Sequence, residues 1–471
     1  MTSLGFSPPP SGRGNIPLVE GTATSPAVLP SQRRRPSISR SRDRAITTAG
    51  LAISAAFLAS AVVAMFLPPE TRRGVWLPLH LALAGGATTA IAAALPFFTS
   101  SLLGAAPAPA PIRALAIVLV ATGAAAMVIG VSGQAGISAA VHATPLSLAP
   151  SGGLAFVAGI LVLSWAAFWP IRGSVGQRQS IVLVAYVAAI LDVAIGAMLA
   201  TLYLGGYSPA VAAWARLTPA HAWLNLLGFV SLVVAGTLLH LYPTVLGTRI
   251  PAGSTGVGRI GRLAVGSLVV GPPFVALGYS LEADSLARGG AVIELVGATA
   301  LVAYGLAVWR NRGHWTTDSE WHLAIVGHLS AAIGWLAAGA GLAAWLTLGA
   351  GANPAGWSIE VLIAPLGLGC VAQAIVGSWT HLVPSIGPGD AVTHARQRVL
   401  LARAARIRLA AFQVATLALL LSLSLDVGWL TFAGTLLAAV AGAGTLGLLL
   451  FALAGARRSF GVAFRDGARR L

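Results

Sequence analysis

Six histidines fall within long apolar stretches of this sequence; His322 stands at the very end of one, and the other five are His80, His221, His240, His328 and His381. Imidazole is the commonest side-chain ligand for metal ions and a standard one for haem iron. A histidine inside a bilayer is costly unless its ring nitrogens find partners. His80, His221, His240, His328 and His381 are therefore candidates for holding a cofactor, with His221, His240, His328 and His381 as candidate direct metal ligands. The alternative role is structural, each ring bonding a hydroxyl or a backbone carbonyl of a neighbouring helix. Cys370 is the single cysteine. An intrachain disulfide and a cysteine-based zinc or iron-sulfur site are thus excluded, and a metal would need histidine, carboxylate or backbone ligands.

Two of the histidines sit in near copies of one segment. Gly236-Thr-Leu-Leu-His240-Leu-Tyr-Pro243-Thr-Val and Gly377-Ser-Trp-Thr-His381-Leu-Val-Pro384-Ser-Ile share their Gly, hydroxyl, His, Leu, Pro and hydroxyl positions. In a straight helix His221 and His240 would lie about 28 Å apart along the axis and about 100° around it. They must then serve two sites at different depths. The outer one would draw on His80 and His221, with His142 in a nearby connection; the inner one on His240 and His381, joined by His322 and His328. His314 and His394 fall in arginine-bearing loops and read as solvated.

Other residues could assist. Asp192 lies in the middle of an apolar stretch, where a lone carboxylate must be protonated, paired, part of a proton path or held by a structural hydrogen bond. Glu294 and Glu360 are expected nearer outer helix ends, within reach of the interface. Asn225 shares a helix face with His221, and Trp335 shares one with His328. Gly236 and Gly377 precede a histidine by one turn, and Gly228 follows His221 by two. Such glycines leave room for a porphyrin edge or, equally, for close helix packing.

The elements that must position these groups follow from composition. Of 471 residues 56% are hydrophobic and only 9% charged, and the mean hydropathy is +0.83. A soluble domain of ordinary composition does not reach such values. The net charge of +16 would suggest nucleic acid in a soluble chain. Here the arginines occupy short connections between apolar runs and report topology instead, so nucleic-acid binding is not expected. The absence of lysine and the abundance of Ala, Gly, Val and Leu fit a bacterial, GC-rich genome and a plasma-membrane location.

Stretches near the roughly 20 residues needed to cross the hydrocarbon core number twelve, at 45–67, 75–98, 112–133, 152–170, 180–204, 218–243, 262–281, 289–309, 321–348, 357–384, 400–424 and 428–455. With the N-terminus inside, only Arg72, Arg73, Arg216 and Arg288 of the 29 basic residues fall on outer connections. This asymmetry places both termini in the cytoplasm. The expected organisation is a disordered Arg-, Pro- and Ser-rich tail (1–44), a transmembrane domain (45–455) and a short basic tail (456–471). The arginines before span one could mimic an export signal, but the run is long enough to span and no small-residue cleavage site follows, so a retained helix is expected. The fold class is all-α and polytopic. Histidines on spans two, six and ten, with the copied segment on the last two, suggest three four-helix repeats.

Twelve spans with histidines on spans two and six near the outer face resemble subunit I of the haem-copper oxidases. The segment His221-Ala-Trp-Leu-Asn-Leu-Leu-Gly-Phe, followed by Ala-Gly-Thr and a terminal proline, is similar to the histidine-bearing helices of NnrS-type haem-copper membrane proteins. The resemblance implies that His80 matches a low-spin haem ligand in depth and helix, and that His221 lies on the helix supplying a copper ligand. His-Pro-Glu-Val-Tyr, a His-His pair on span seven and a His-x-His at the start of span ten are all missing. The usual oxygen-reducing copper centre is therefore not expected. What the resemblance implies is a haem protein, with copper as a second candidate, in electron transfer or nitric oxide-related chemistry. It would work in the lipid bilayer with a redox partner protein. Two other classes fit the topology: a proton-coupled secondary transporter using Asp192, and a cofactor-free membrane partner subunit.

Overall fold

The computed structural model describes residues 37–133, 148–174, 180–248, 255–315, 317–387, 390–425 and 427–468. Residues 1–36 of the expected tail, His142 and residues 469–471 lie outside them. Among the described residues there are no strands. Twelve helices are long and apolar enough to cross a membrane, and the protein is an all-α polytopic membrane protein. In order they are Ala45–Ala64, Trp76–Leu103, Ala110–Ser132, Leu148–Gly173, Ile181–Leu204, Trp214–Val245, Gly256–Leu281, Asp284–Arg310, Ser319–Ala350, Glu360–Ser385, Ala405–Ser422 and Gly428–Ala454. The reason is elementary: in hydrocarbon every backbone N–H and C=O must bond within the segment, and Ala and Leu form helices at least cost.

Helices extend beyond several expected limits. The first runs Ser37–Ala64 and the last Gly428–Ala468, so both cover residues expected to be tail. Between spans ten and eleven the chain forms a further helix, Ala391–Leu401. Asp390 caps it, its Oδ1 accepting the Thr393 amide at 2.8 Å, and Gln397 ties it to span twelve by donating to the Ala452 carbonyl.

Spans two, six and ten form the centre. In their most apolar stretches 67, 72 and 61% of residues are buried, more than in any other span, whereas spans one and twelve reach only 22%. Each of the three also carries a wide-wound π segment: Leu81–Ala87, Trp223–Ser231 and Ile363–Ala372. The π segment of span ten touches those of both spans two and six. Such segments carry an i→i+5 pattern that frees or redirects backbone groups and is common at functional sites. Because one lies between His221 and His240, the straight-helix angle between these residues does not carry through.

Proline completes the pattern on the same three helices, at Pro96, Pro243 and Pro384. A proline inside a helix deprives the carbonyl four residues earlier of its amide donor. For Pro243 that carbonyl is Leu239, which receives the Tyr304 hydroxyl. For Pro384 it is Thr380, which receives the Trp321 indole N–H at 3.0 Å. The copied segments match further, since Thr244 and Ser385 each donate to the carbonyl of the histidine one turn before.

Candidate functional site

His80 closes the α-helical turns of Trp76–His80, directly before the π segment of span two. His221 occupies the same place on span six, near the end of Trp214–Ala222 and just before Trp223–Ser231. The fold brings these two side chains together. Their rings lie 14° from parallel with centroids 6.4 Å apart. That separation is too wide for direct stacking, as the 4.2 Å between Trp76 and His80 shows. A metal atom held between two imidazole nitrogens at about 2.0–2.1 Å from each would set ring centroids roughly 6.3 Å apart when all three are in line.

The tautomer of both rings is fixed by backbone. His80 Nδ1 lies 2.8 Å from the Trp76 carbonyl, and His221 Nδ1 lies 2.8 Å from the Gly196 carbonyl on span five. A carbonyl only accepts, so each Nδ1 carries the proton and each Nε2 keeps a free lone pair. Ligating histidines adopt this state, their second nitrogen tied to a carbonyl or carboxylate. Asn225, one turn beyond His221, donates to the His221 carbonyl at 2.7 Å, and its Nδ2 lies 3.2 Å from His221 Nδ1. It packs against Gly196, where a Cβ would come within 2.2 Å of Asn225 Nδ2. Aromatic rings flank the pair: Trp76 lies on His80, while Trp214 tilts against His221 with Tyr203 stacked behind it.

The other expected cluster does not form. Among the described residues no three His, Cys, Asp or Glu side chains group as a metal site, so His240, His328 and His381 do not share one. His328 is buried in an amide network instead. Its Nδ1 meets Gln373 Oε1 at 3.2 Å, the same oxygen accepts from Gln413, and Gln413 in turn accepts the Trp335 indole N–H. His381 lies against Trp321, which also meets His322, itself stacked on Trp315. His240 is half-buried on span six. His314 is exposed and His394 half-buried. Gln373 and Gln413 had no sequence signal, because an amide in an apolar run has no characteristic spacing.

The glycines near the histidines also read differently in three dimensions. A Cβ on Gly236 would meet Ala185 and Tyr186, one on Gly377 would meet Leu329, and one on Gly228 would meet Asp192. These positions admit neighbouring helices and leave no slot for a porphyrin edge. Glu360 is exposed, as expected for a helix end, but Glu294 is not. Its helix starts at Asp284 instead of residue 289, which sinks the carboxyl a further turn, and Glu294 is 0% exposed.

No family model matches this chain, and no curated protein is similar to it. The functional reading therefore rests on the geometry of the paired histidines.

Proposed function

We propose that His80 and His221 hold the iron of one haem between them, in a bacterial plasma-membrane protein that passes electrons to or from a partner. The observation that carries this reading is the near-parallel ring pair at 6.4 Å with both Nδ1 atoms engaged by carbonyls. Two protein ligands suit a metal that brings its own equatorial donors, as haem iron does. Zinc or copper(II) held by side chains alone takes three or four, and no group of three His, Cys, Asp or Glu occurs among the described residues. The arrangement therefore favours haem over zinc or copper(II) at this place, with copper(I) as the second reading.

Bound there, haem would supply a one-electron couple. The protein's part is to fix the ligand set. The Trp76 and Gly196 carbonyls orient the imidazoles, and Trp76 and Trp214 flank the half-buried pair. Were both imidazoles to ligate the iron, no protein-free position would be left for a small molecule, and this would favour electron transfer over nitric oxide or oxygen turnover.

The test is a reduced-minus-oxidised spectrum of the full chain purified in detergent after expression with haem supply. We expect Soret and alpha bands in the wild type, lost in both His80→Ala and His221→Ala and kept in His240→Ala and His381→Ala. A wild type without haem, or a spectrum indifferent to both outer substitutions, would overturn the reading.

A further inference from the structure

Two carboxyl groups lie buried in the middle of the bundle, apart from the histidine pair. Asp192, at the midpoint of span five, is 4% exposed, and Glu294 on span eight is fully enclosed. Three of their four oxygens, Asp192 Oδ2 and both Glu294 Oε atoms, have no hydrogen-bond partner. Spans five, six and seven pack on one another and span eight packs on span seven, so Asp192 against Gly228 and Glu294 against Gly271 belong to one four-helix cluster. No ion pair among the described residues includes either of them.

The surroundings are shaped for these groups but give no hydrogen bond to those three oxygens. A Cβ on Gly228 of span six would come within 2.5 Å of Asp192 Oδ2, and one on Gly271 of span seven within 2.8 Å of Glu294 Oε2. Pro272 and Pro273 follow Gly271 and leave the carbonyls of Leu268 and Val269 without amide donors. Ser231, one turn beyond Gly228, is buried with its Oγ unpartnered. Four titratable groups on the packed elements have partners elsewhere: Tyr186 bonds Thr237, Tyr279 Thr347, Tyr304 the Leu239 carbonyl, and His221 the Gly196 carbonyl.

An apolar interior does not sustain two uncompensated carboxylates. A permanently protonated, purely structural pair would direct each O–H at an acceptor, and Glu294 has none. What the pocket lacks is a positive charge that comes and goes. We propose that Asp192 and Glu294 form an intramembrane site that binds and exchanges one small monovalent cation, a proton or an alkali ion of sodium size. This stands apart from the histidine reading, although Gly196, the acceptor for His221, lies one turn from Asp192 on the same helix.

Dicyclohexylcarbodiimide, which modifies protonated carboxyls in apolar surroundings, tests the site in the full-length protein. Peptide mass spectrometry should find the adduct on Glu294 or Asp192, with labelling that falls as pH rises. Protection by sodium chloride but not choline chloride identifies the cation as sodium. A pH dependence that ignores both salts identifies it as the proton. Glu294→Gln and Asp192→Asn should each confine the label to the other residue, and His80→Ala protein should label like the wild type. No adduct on either residue, or labelling independent of both pH and salt, would overturn the proposal. The wild-type result decides even if a variant fails to fold.

Discussion

Tyr304 on span eight donates its hydroxyl, at 2.9 Å, to the carbonyl of Leu239 on span six, the acceptor that Pro243 leaves without an amide. A buried carbonyl that loses its only donor costs about 1–3 kcal/mol. Tyr304→Phe should therefore lower the thermal midpoint of the detergent-solubilised protein, and Trp321→Phe should do so through Thr380. A Pro243→Ala background, which restores the helical donor, should make Tyr304→Phe nearly silent. An undiminished effect in that background would refute the pairing.

Gly196 gives a prediction with a definite sign. Gly→Ala in a helix interior ordinarily stabilises by about 1 kcal/mol. Here the new Cβ would lie 2.2 Å from Asn225 Nδ2, and overpacking costs about 1–3 kcal/mol. The clash wins, so Gly196→Ala should destabilise. Adding Asn225→Ala should restore most of the loss, because the two changes share one contact. A raised melting temperature in the single variant would show that the contact does not constrain the helix.

His328 should behave as a packing residue. His328→Ala removes the Gln373 contact and leaves a cavity in the interface of spans nine, ten and eleven, for a loss of about 2–4 kcal/mol by analogy with other buried truncations. Bound haem, measured per mole of folded protein, should stay at the wild-type level. Loss of haem in this variant with stability unchanged would return His328 to the list of ligands.

The cap at Asp390 should respond to pH. Hydrogen bonds from the Thr393 hydroxyl and amide hold its carboxyl below the usual carboxylate range. A depressed value in the folded state means that its contribution is present above the unfolded pKa of about 3.9 and is lost as pH falls through the folded value. Amide protection factors across residues 391–401, which divide out the intrinsic exchange rate, should fall on acidification through that window. Asp390→Asn keeps a capping side chain without the titration and should give a flat profile; an equally steep one would assign the effect elsewhere.

The twelve spans were legible because an apolar run long enough to cross hydrocarbon has few alternatives. So was the depth of His80 and His221, since each opens a helix running the same way. The sequence also drew these two into one outer site, and the structure brings their rings together; depth follows from counting along one helix, while the distance and angle between the rings depend on how spans two and six pack. The inner trio had the same basis in depth, and spans six, nine and ten do pack on one another, but their histidines turn to different partners, His328 to Gln373 and His381 to Trp321. Glu294 was misread because a helix start misplaced by five residues turns an interfacial carboxyl into a buried one. The π segments have no one-dimensional signature that separates their glycines and prolines from ordinary packing positions.

The central trio also constrains how the protein is made. Spans two, six and ten are far apart in the chain and depend on one another for cover, and they emerge from the ribosome in that order. The wall that span ten's π segment builds against spans two and six arrives only after residue 360. Until then the faces on spans two and six must be screened by lipid, by the insertion machinery or by each other. A chain stopped before Glu360 is thus a membrane protein with part of its inside turned to the bilayer.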